Sequence, residues 1–346
     1  MKLVIQIPCL NEEETLGDTI RALPTRVDGI DEIEILVVDD GSTDRTAEVA
    51  AAAGVTRVVR FPNHQGLARA FAAGLDAALQ QGADVIVNTD ADNQYRGADI
   101  EALVAPIVRG EADMVIGDRD PARLRHFSPP KRVLQRLGSW AVRQVSGTKV
   151  PDATSGFRAL SRAAALRINV FSDFTYTLET IIQAGKKQLA IAHVRVGANP
   201  TPRPSRLFSG TSHYIRRSAM TLLRIYALYE PFKFFSLLGG ILIAGAGLIG
   251  VRFLYDYVTE GGAGHIQSLI LAGALLVIGF LTILSGILAD LIGRNRQLSE
   301  EILLRVRRLE IGTGSAERQP EDRPAGGPRR ERDGPRRPRR ADRLAQ

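Results

Sequence analysis

Short apolar runs alternate with longer amphipathic stretches along roughly the first 200 residues of the chain. Each short run has the length and the apolar content of a strand that is buried on both faces. These runs are Leu3–Ile7, Ile33–Val38, Val55–Phe61, Val85–Thr89 and Met114–Gly117. The stretches with helical periodicity between them are Glu13–Leu23, Thr43–Ala53, Leu67–Gln80 and Ala98–Val108. This alternation predicts right-handed crossovers and an α/β fold with a mostly parallel sheet.

Two much longer apolar segments follow in the second half of the chain. Residues 234–251 and 266–289 carry no charge, and each has the length of about 18 residues or more that indicates a transmembrane helix. The link Asp256–His265 has two acidic residues and no Lys or Arg. The basic residues on the other side of the two segments are Arg224, Lys233, Arg294 and Arg296. We therefore expect a multi-pass protein of the plasma membrane, with its soluble domain and both chain ends in the cytoplasm.

The remaining segments complete the predicted organisation. Residues 1–210 form the α/β domain, and residues 211–232 mix arginines with aliphatic residues, which is typical of a helix at the membrane interface. The hairpin takes residues 233–293. Residues 294–310 carry an apolar stripe that would pack on the soluble domain or on another subunit, so a homo-oligomer stays open. Residues 311–346 are rich in Arg, Pro and Gly, which predicts a disordered tail.

The charge of the chain fits a membrane partner better than a nucleic acid. The formal net charge is +7, and much of the basic excess lies in the tail. That tail has no aromatic residues between its arginines, so we expect attraction to anionic lipid headgroups and no nucleic-acid partner. The single cysteine, Cys9, excludes an internal disulfide and a cysteine zinc site.

Carboxylates follow the predicted strands at the points where those strands end. Asp90 and Asp92 come directly after one apolar run, and Asp39 and Asp40 come after another. The carboxyl ends of parallel strands meet at one edge of a sheet, where ligands bind. Two carboxylates suit a hard divalent cation, and such a cation suits a diphosphate. An isolated Asp-x-Asp pair also occurs in solvated loops, so the pair by itself leaves both interpretations open.

Two common nucleotide-binding motifs are absent from the sequence. The first strand is followed by Pro8–Glu12 and not by G-x-G-x-x-G, which argues against a dinucleotide-binding Rossmann domain. No G-x-x-x-x-G-K-[ST] occurs, which excludes a P-loop NTPase. The acidic strand ends therefore need another use.

Several motifs together resemble glycosyltransferase family 2, whose members have a GT-A (Rossmann-like) fold. These motifs are Pro8-x-x-Asn11-Glu12, Val37-Val38-Asp39-Asp40-Gly41-Ser42-Thr43-Asp44 and Asp90-Ala91-Asp92-x-Gln94. Residues 152–158 (DATSGFR) and 205–207 (SRL) narrow the resemblance to the polyprenyl-phosphate hexosyltransferases, the dolichol-phosphate mannose synthase group. The resemblance covers roughly residues 1–220, and membrane hairpins follow the catalytic domain in some branches of that group.

The resemblance implies a role for individual residues. The residues that would bind the nucleotide sugar are Pro8, Leu10, Glu12, Val38, Asp40, Asp90, Ala91 and Gln94. The residues with implied catalytic roles are Asp92, Arg119, Asp152, Glu179, Arg203 and Arg206. Asp90 and Asp92 would hold Mg²⁺ or Mn²⁺. The sequence departs from the family at Leu10, where Tyr is frequent, and at Arg206, where Lys is usual and the geometry therefore differs.

The residue types in the sequence suit the chemistry of such a transfer. Charge builds on the leaving diphosphate, and a divalent ion and arginines stabilise it. A lipid-phosphate acceptor is already anionic near neutral pH, so cations that bring two anions together matter more than a general base. The candidate cations are Arg119, Lys131, Arg132, Arg158, Arg203 and Arg206. We expect an inverting transfer of a hexose from a nucleotide sugar to a polyprenyl (undecaprenyl or dolichyl) phosphate.

Other functions compete with this interpretation. A family 2 transferase that acts on another lipid or glycan acceptor stays open. A processive polysaccharide synthase would carry Q-x-x-R-W, which the surroundings of the only tryptophan, Trp140, do not match, and two membrane helices are too few for a translocation channel. An inactive nucleotide-binding membrane scaffold would not need every acidic strand end.

Overall fold

The computed structural model places most of the soluble domain and the apolar hairpin. The described residues are 1–119, 142–143, 146–148, 150–170, 176–199, 220, 223–224, 226–227, 229–261 and 266–317. Four basic residues proposed from the sequence lie outside the described residues, namely Lys131, Arg132, Arg203 and Arg206. Most of the interfacial segment 211–232 and the tail from residue 318 also lie outside them.

A seven-stranded mixed sheet forms the centre of the soluble domain. Its strands are β1 (Lys2–Cys9), β2 (Glu32–Asp39), β3 (Arg57–Arg60), β4 (Val85–Asn88), β5 (Met114–Asp118), β6 (Arg158–Ser161) and β7 (Ile191–Arg195). The spatial order is β3-β2-β1-β4-β6-β5-β7. Only β6 runs antiparallel to its neighbours, β4 and β5, among these strands. The mostly parallel α/β sheet expected for a GT-A domain is therefore confirmed.

Helices cover both faces of this sheet. They are α1 (Leu16–Arg21), α2 (Thr46–Ala52), α3 (Leu67–Gln80), α4 (Ile100–Val108), α5 (Arg162–Arg167) and α6 (Tyr176–Lys186). On one face, α3, α5 and α6 bury residues such as Phe71 and Ile181. On the other face, α1, α2 and α4 bury residues such as Leu16 and Ile100. Successive residues of each strand enter opposite cores, which explains the continuous apolar runs.

Two of the helices begin later than the apolar pattern predicts. Helix α1 begins at Leu16 and not at Glu13, and α2 begins at Thr46 and not at Thr43. In both cases polar residues before the helix form hydrogen bonds with the other loop. Asn11, for example, accepts a 2.8 Å hydrogen bond from the Thr43 amide. The loops at the carboxyl ends of β1 and β2 are therefore longer than predicted, which leaves more backbone at the site.

The hairpin consists of α7 (Pro231–Glu260) and α8 (Ile266–Glu317), joined after a left-handed Gly261. Both helices are long and apolar enough to cross a membrane. The helices approach closely at Gly239 and Gly279, because a Cβ on Gly279 would lie 2.9 Å from the Gly239 carbonyl oxygen. Their outer faces expose large apolar side chains, such as Leu248 at 74%. A lipid environment accounts for that exposure.

Helix α8 does not stop where the apolar span ends. The predicted hairpin boundary at residue 293 and the separate amphipathic helix 294–310 are one continuous helix in the structure, which runs on to Glu317. The apolar stripe of this segment stays exposed in the structure, at Leu298, Ile302, Leu303, Val306 and Leu309. A different face of the helix packs on the soluble domain. Leu304 is only 8% exposed there, and the Arg307 guanidinium donates a 2.8 Å hydrogen bond to Asn169 Oδ1.

Candidate active site

The candidate site lies where β1, β2 and β4 end. The register pairs Pro8 with Val38 and Gln6 with Asn88, so the loops that follow these strands start side by side. The first two loops are joined by hydrogen bonds, including Asn11 N to Ser42 Oγ at 3.0 Å. The strand-end carboxylates predicted to share one edge of the sheet do lie on neighbouring loops there.

The residues predicted to hold the nucleoside differ in how accessible their side chains are. Pro8 and Val38 are buried in the sheet, so only their backbone and local shape face the crevice. Leu10 and Glu12 are half-buried on the loop after β1. Glu12 accepts a 2.7 Å hydrogen bond from Thr15 Oγ1, which orients its carboxylate towards the start of α1.

Asp40 has a structural role in the loop before α3. Its carboxylate accepts hydrogen bonds from the backbone amides of Gln65 at 2.7 Å and Gly66 at 2.9 Å. The His64 imidazole Nδ1 lies 2.8 Å from the same carboxylate. Since Asp40 is 3% exposed, these contacts fix the entry to α3, and any contact with a nucleoside would be additional to them.

Asp90 and Asp92 stand at the mouth of the crevice after β4. Ala91, which separates them, is buried, and its carbonyl accepts a 2.9 Å hydrogen bond from Thr19 Oγ1. Asp92 Oδ1 accepts from the Gln94 amide at 3.1 Å, which turns the chain after the pair. Burial and the neighbouring Asp92 charge raise the pKa of Asp90 to about 7.

The donor set of this pair fits a hard divalent cation. In the part of the chain that the structure describes, no side chain hydrogen-bonds to the Asp90 carboxylate, and no group of three or more His, Cys, Asp or Glu residues is arranged to hold a metal ion. Two carboxylates with water and diphosphate oxygens are a usual ligand set for Mg²⁺. Positive charge here would also relieve the repulsion that raises the Asp90 pKa.

A buried polar network forms the floor beneath Asp90. Asn88 donates 2.8 Å and 3.0 Å hydrogen bonds to the Gly156 carbonyl and the Tyr176 hydroxyl, and it accepts from Gln6 Nε2 at 2.9 Å. A Cβ on Gly156 would lie 3.0 Å from Asp90 Oδ1. The backbone of the 152–158 motif therefore approaches the carboxylate as closely as glycine allows.

Arg119 and Asp152 form a buried ion pair beside this floor. Arg119 Nε and NH2 lie 2.9 Å and 3.3 Å from the two Asp152 oxygens, and NH2 also donates to Thr154 Oγ1 at 3.2 Å. The Asp152 side chain is fully buried, and the Arg119 guanidinium holds the pKa of its carboxyl below the usual range despite that burial. The guanidinium also lies 5.8 Å from the Tyr95 ring centroid.

Arg158 is a second cation below the site, and it is fully buried. It donates to the carbonyls of Ser155 at 2.8 Å and Ala153 at 3.2 Å, and it contacts Thr180 Oγ1. Its guanidinium lies over the Tyr176 ring at 5.6 Å. Burial lowers the pKa of Arg158 to about 10, which still leaves it charged at neutral pH. Its charge therefore adds positive potential under Asp90 from a fixed position.

Glu179 lies one helical turn after Tyr176 on α6 and is 4% exposed. The Tyr229 hydroxyl donates to Glu179 Oε1 at 3.3 Å, and Arg296 NH2 lies 3.7 Å from the same oxygen. Glu179 therefore contacts the end of the hairpin that adjoins the soluble domain. Arg203 and Arg206, which the family resemblance places on a late loop, lie outside the described residues.

The segment that leads to the late loop is placed beside the acidic pair. Asn199 donates from its amide to the Gln94 carbonyl at 2.9 Å and from Nδ2 to the Asn93 carbonyl at 3.0 Å. Tyr95 pairs with Ala198 in an isolated antiparallel bridge. Asn199, which precedes the segment with the predicted arginines, therefore lies next to the Asp92 turn.

Sequence reasoning missed the neutral residues that organise the site. The sequence does not predict a role for Asn88, Tyr95 and Tyr176. These residues form the buried hydrogen bonds beneath Asp90 and the contacts between aromatic rings. Asn88 gave a usable signal, because an amide at the end of an otherwise apolar strand needs buried partners. The stacking of Tyr95 on Phe157, with ring centroids 4.8 Å apart, joins positions that the chain separates widely.

Comparisons with known proteins agree with this geometry. The family model described as Glycosyl transferase family 2 matches residues 4–168. An uncharacterized protein of Methanocaldococcus jannaschii is 34% identical over 200 residues, which are 56% of this chain and 80% of that protein. An undecaprenyl-phosphate mannosyltransferase of Micrococcus luteus is 31% identical over 173 residues, which are 48% of this chain and 69% of that protein.

A solved structure is similar over the soluble domain. The glucosyl-3-phosphoglycerate synthase of Mycobacterium tuberculosis, crystallised with Mn²⁺, UDP-glucose and phosphoglyceric acid, gives a TM-score of 0.50 at 25% identity. The similarity covers 64% of this chain and 79% of that one. With the sheet order, the acidic pair and the family match together, the chain belongs to glycosyltransferase family 2.

Proposed function

We propose that this glycosyltransferase moves a hexose from a nucleotide sugar to a polyprenyl phosphate at the cytoplasmic face of a membrane. One observation carries the proposal: a single chain joins the Asp90–Asp92 site to a hairpin whose outer faces are apolar. An enzyme with a soluble acceptor has no need of such a hairpin. The name of the Micrococcus luteus relative, an undecaprenyl-phosphate mannosyltransferase, supports the lipid acceptor.

Asp90 and Asp92 are the residues that would hold a divalent cation, Mg²⁺ or Mn²⁺. When bound, such a cation supplies positive charge to the diphosphate that leaves the sugar. The Mn²⁺ and UDP-glucose present with the Mycobacterium tuberculosis enzyme support both a metal and a nucleotide donor. On this chain the base and ribose would lie along the loops after β1 and β2, near Leu10 and Glu12.

Arg119 would stabilise the donor's phosphates from a fixed position. Its bidentate pair with Asp152 sets the plane of the guanidinium, so little side-chain entropy remains to be lost when an anion binds. Arg158 adds charge from below without reaching the crevice itself. Arg203 and Arg206 would close over the phosphates from the late loop, which begins next to the Asp92 turn.

The reaction needs no strong base on the protein. An oxygen of the acceptor phosphate is already anionic, and it attacks the anomeric carbon as the bond to the donor diphosphate breaks. The electron pair of that bond leaves with the nucleoside diphosphate. A single displacement of this kind inverts the anomeric centre, so an α-linked donor gives a β-linked lipid-phosphate hexose.

The proposed orientation places the catalytic domain in the cytoplasm, where nucleotide sugars are made. The acceptor phosphate stays at headgroup level, because moving its hydrocarbon chain out of the bilayer costs about 0.8 kcal/mol per CH₂. The crevice must then open towards the membrane surface. The contact between α8 and the soluble domain at Glu300 and Lys187 would fix that orientation.

An acceptor panel tests the proposal. Purified full-length protein in detergent is given labelled UDP- and GDP-sugars together with a short polyprenyl phosphate, 3-phosphoglycerate or an oligosaccharide. We expect a labelled lipid on thin-layer plates with one donor and the polyprenyl phosphate only. Transfer to 3-phosphoglycerate or to the oligosaccharide, with none to the lipid, would refute it.

A further inference from the structure

The cytoplasmic end of α8 contacts the soluble domain on the side where α6 carries Glu179. Arg296 NH2 lies 3.7 Å from Glu179 Oε1 and 3.4 Å from the Tyr229 hydroxyl. The guanidinium carbon of Arg296 lies 5.4 Å from the Tyr229 ring centroid. Tyr229 lies two residues before the start of α7, so both ends of the membrane hairpin meet at this one carboxylate.

The partners of Glu179 are themselves fixed. Arg296 Nε bonds to Glu300 Oε1 at 3.1 Å, and Glu300 Oε2 pairs with Lys187 Nζ at 2.8 Å. The Glu179 side chain is 5% exposed and that of Arg296 is 28% exposed, so water screens their interaction only partly. Burial raises the pKa of Tyr229 to about 12, which keeps its hydroxyl protonated as a donor to Glu179.

Helix α6, which bears Glu179, also contributes residues to the buried network beneath Asp90. Tyr176 and Glu179 are three residues apart on α6, which places their Cβ atoms about 5–6 Å apart. The Tyr176 hydroxyl accepts from Asn88, and Thr180 contacts Arg158. A shift of α6 would therefore move the groups directly beneath Asp90.

We infer that Arg296 is a positioning residue that orients Glu179 and α6, so that the membrane hairpin completes the active site besides anchoring it. This inference rests on the proposed function and on the catalytic role that the family resemblance implies for Glu179. Removal of the Arg296 guanidinium would take a cationic contact away from this buried carboxylate, and the orientation of Glu179 would loosen. Glu179 and α6 would then be less ordered beside the bound donor sugar.

Arg307 offers a matched control on the same helix. It also joins α8 to the soluble domain, through Asn169 at 2.8 Å and Asp76 at 3.3 Å, but it makes no contact with Glu179. Arg305 is a second control, because it is 76% exposed and pairs only with Glu301 of its own helix in the described structure. The three arginines therefore separate positioning, docking and surface charge.

The experiment compares Arg296→Gln, Arg296→Lys, Arg307→Gln and Arg305→Gln in the full-length protein in lipid nanodiscs. For sugar transfer we expect Arg296→Gln to lower kcat about tenfold or more while the donor KM changes less than about twofold, which is the signature of a lost positioning contact. Arg296→Lys should recover part of the loss. Arg307→Gln should lower the melting temperature but leave kcat within about twofold of the parent, and Arg305→Gln should change neither. Equal kcat losses for Arg296→Gln and Arg307→Gln would overturn the inference.

Hydrogen exchange gives a readout that does not depend on the transfer reaction. Amides of α6 (Tyr176–Lys186) should exchange faster in Arg296→Gln than in Arg307→Gln. If the parent protein transfers no sugar to polyprenyl phosphate, the proposed function fails while this readout still tests the coupling. Unchanged exchange in α6 of Arg296→Gln would overturn the inference on its own.

Discussion

The ion pair between Arg119 and Asp152 offers a quantitative test of the site. The Asp152 side chain is 0% exposed and that of Arg119 is 15% exposed, and two hydrogen bonds of 2.9 Å and 3.3 Å join them. Removal of one partner leaves the other buried without its counter-charge, which costs about 3–5 kcal/mol. Removal of both leaves no uncompensated charge, so the double variant should lose less than the sum.

The assay is a double-mutant cycle with Arg119→Met, Asp152→Asn and the combined variant. Urea unfolding of full-length protein in detergent gives the free energy of unfolding for each. Because Asn retains an oxygen that can accept from Thr154, the cycle isolates the charged pair. We expect a coupling energy on the order of 1–3 kcal/mol. Additive losses, or an Asp152→Asn variant as stable as the parent, would refute the reasoning.

The pH dependence of the coupling follows from the direction of the Asp152 shift. Its pKa in the folded state lies below that of the unfolded chain, which is about 3.9. The contribution of the pair is therefore fully present above that value and is lost as the pH falls through the lower folded-state pKa. The coupling energy should be equal at about pH 6 and pH 8. All three variants should lose transfer activity, since Arg119→Met removes the phosphate-facing charge and Asp152→Asn loosens it.

Three further perturbations have defined outcomes. Asp92→Asn should abolish sugar transfer without changing the melting temperature, and EDTA should do the same to the parent; full activity in EDTA would contradict the metal site. Gly156→Ala should lower kcat strongly, because the added Cβ would lie 3.0 Å from Asp90 Oδ1; an unchanged kcat would mean that the loop can move. Gly279→Val should destabilise the hairpin by about 1–3 kcal/mol through overpacking against Gly239, and a thermal melt in detergent measures it.

The sequence predicts the parallel half of the sheet well, because β1, β4 and the second half of β2 are mostly apolar and buried. It does not reveal β6, a four-residue strand that begins with a buried arginine. Arg158 is acceptable there because carbonyls and Thr180 satisfy its guanidinium, and those partners are known only once the chain is folded. Local pattern does not contain that information.

The site residues also differ in whether the local sequence reveals them. Asp90 and Asp92 are recognisable from the strand end that precedes them. Other contacts join residues that are far apart in sequence. Asp40 accepts hydrogen bonds from the loop before α3, and Glu179 contacts Arg296. The roles assigned to these residues by family resemblance therefore stay predictions, and the structure adds contacts that compete with or support those roles.

The structure of the reaction product tests the central claim most directly. The parent protein is incubated with the accepted α-linked nucleotide hexose and a short polyprenyl phosphate, and the purified lipid is analysed by mass spectrometry and by proton–phosphorus NMR. We expect one hexose per lipid, with its anomeric proton coupled to the phosphorus that carries the prenyl chain, in the β configuration. An α linkage, or a hexose that is not attached to phosphate, would contradict a single in-line transfer to polyprenyl phosphate.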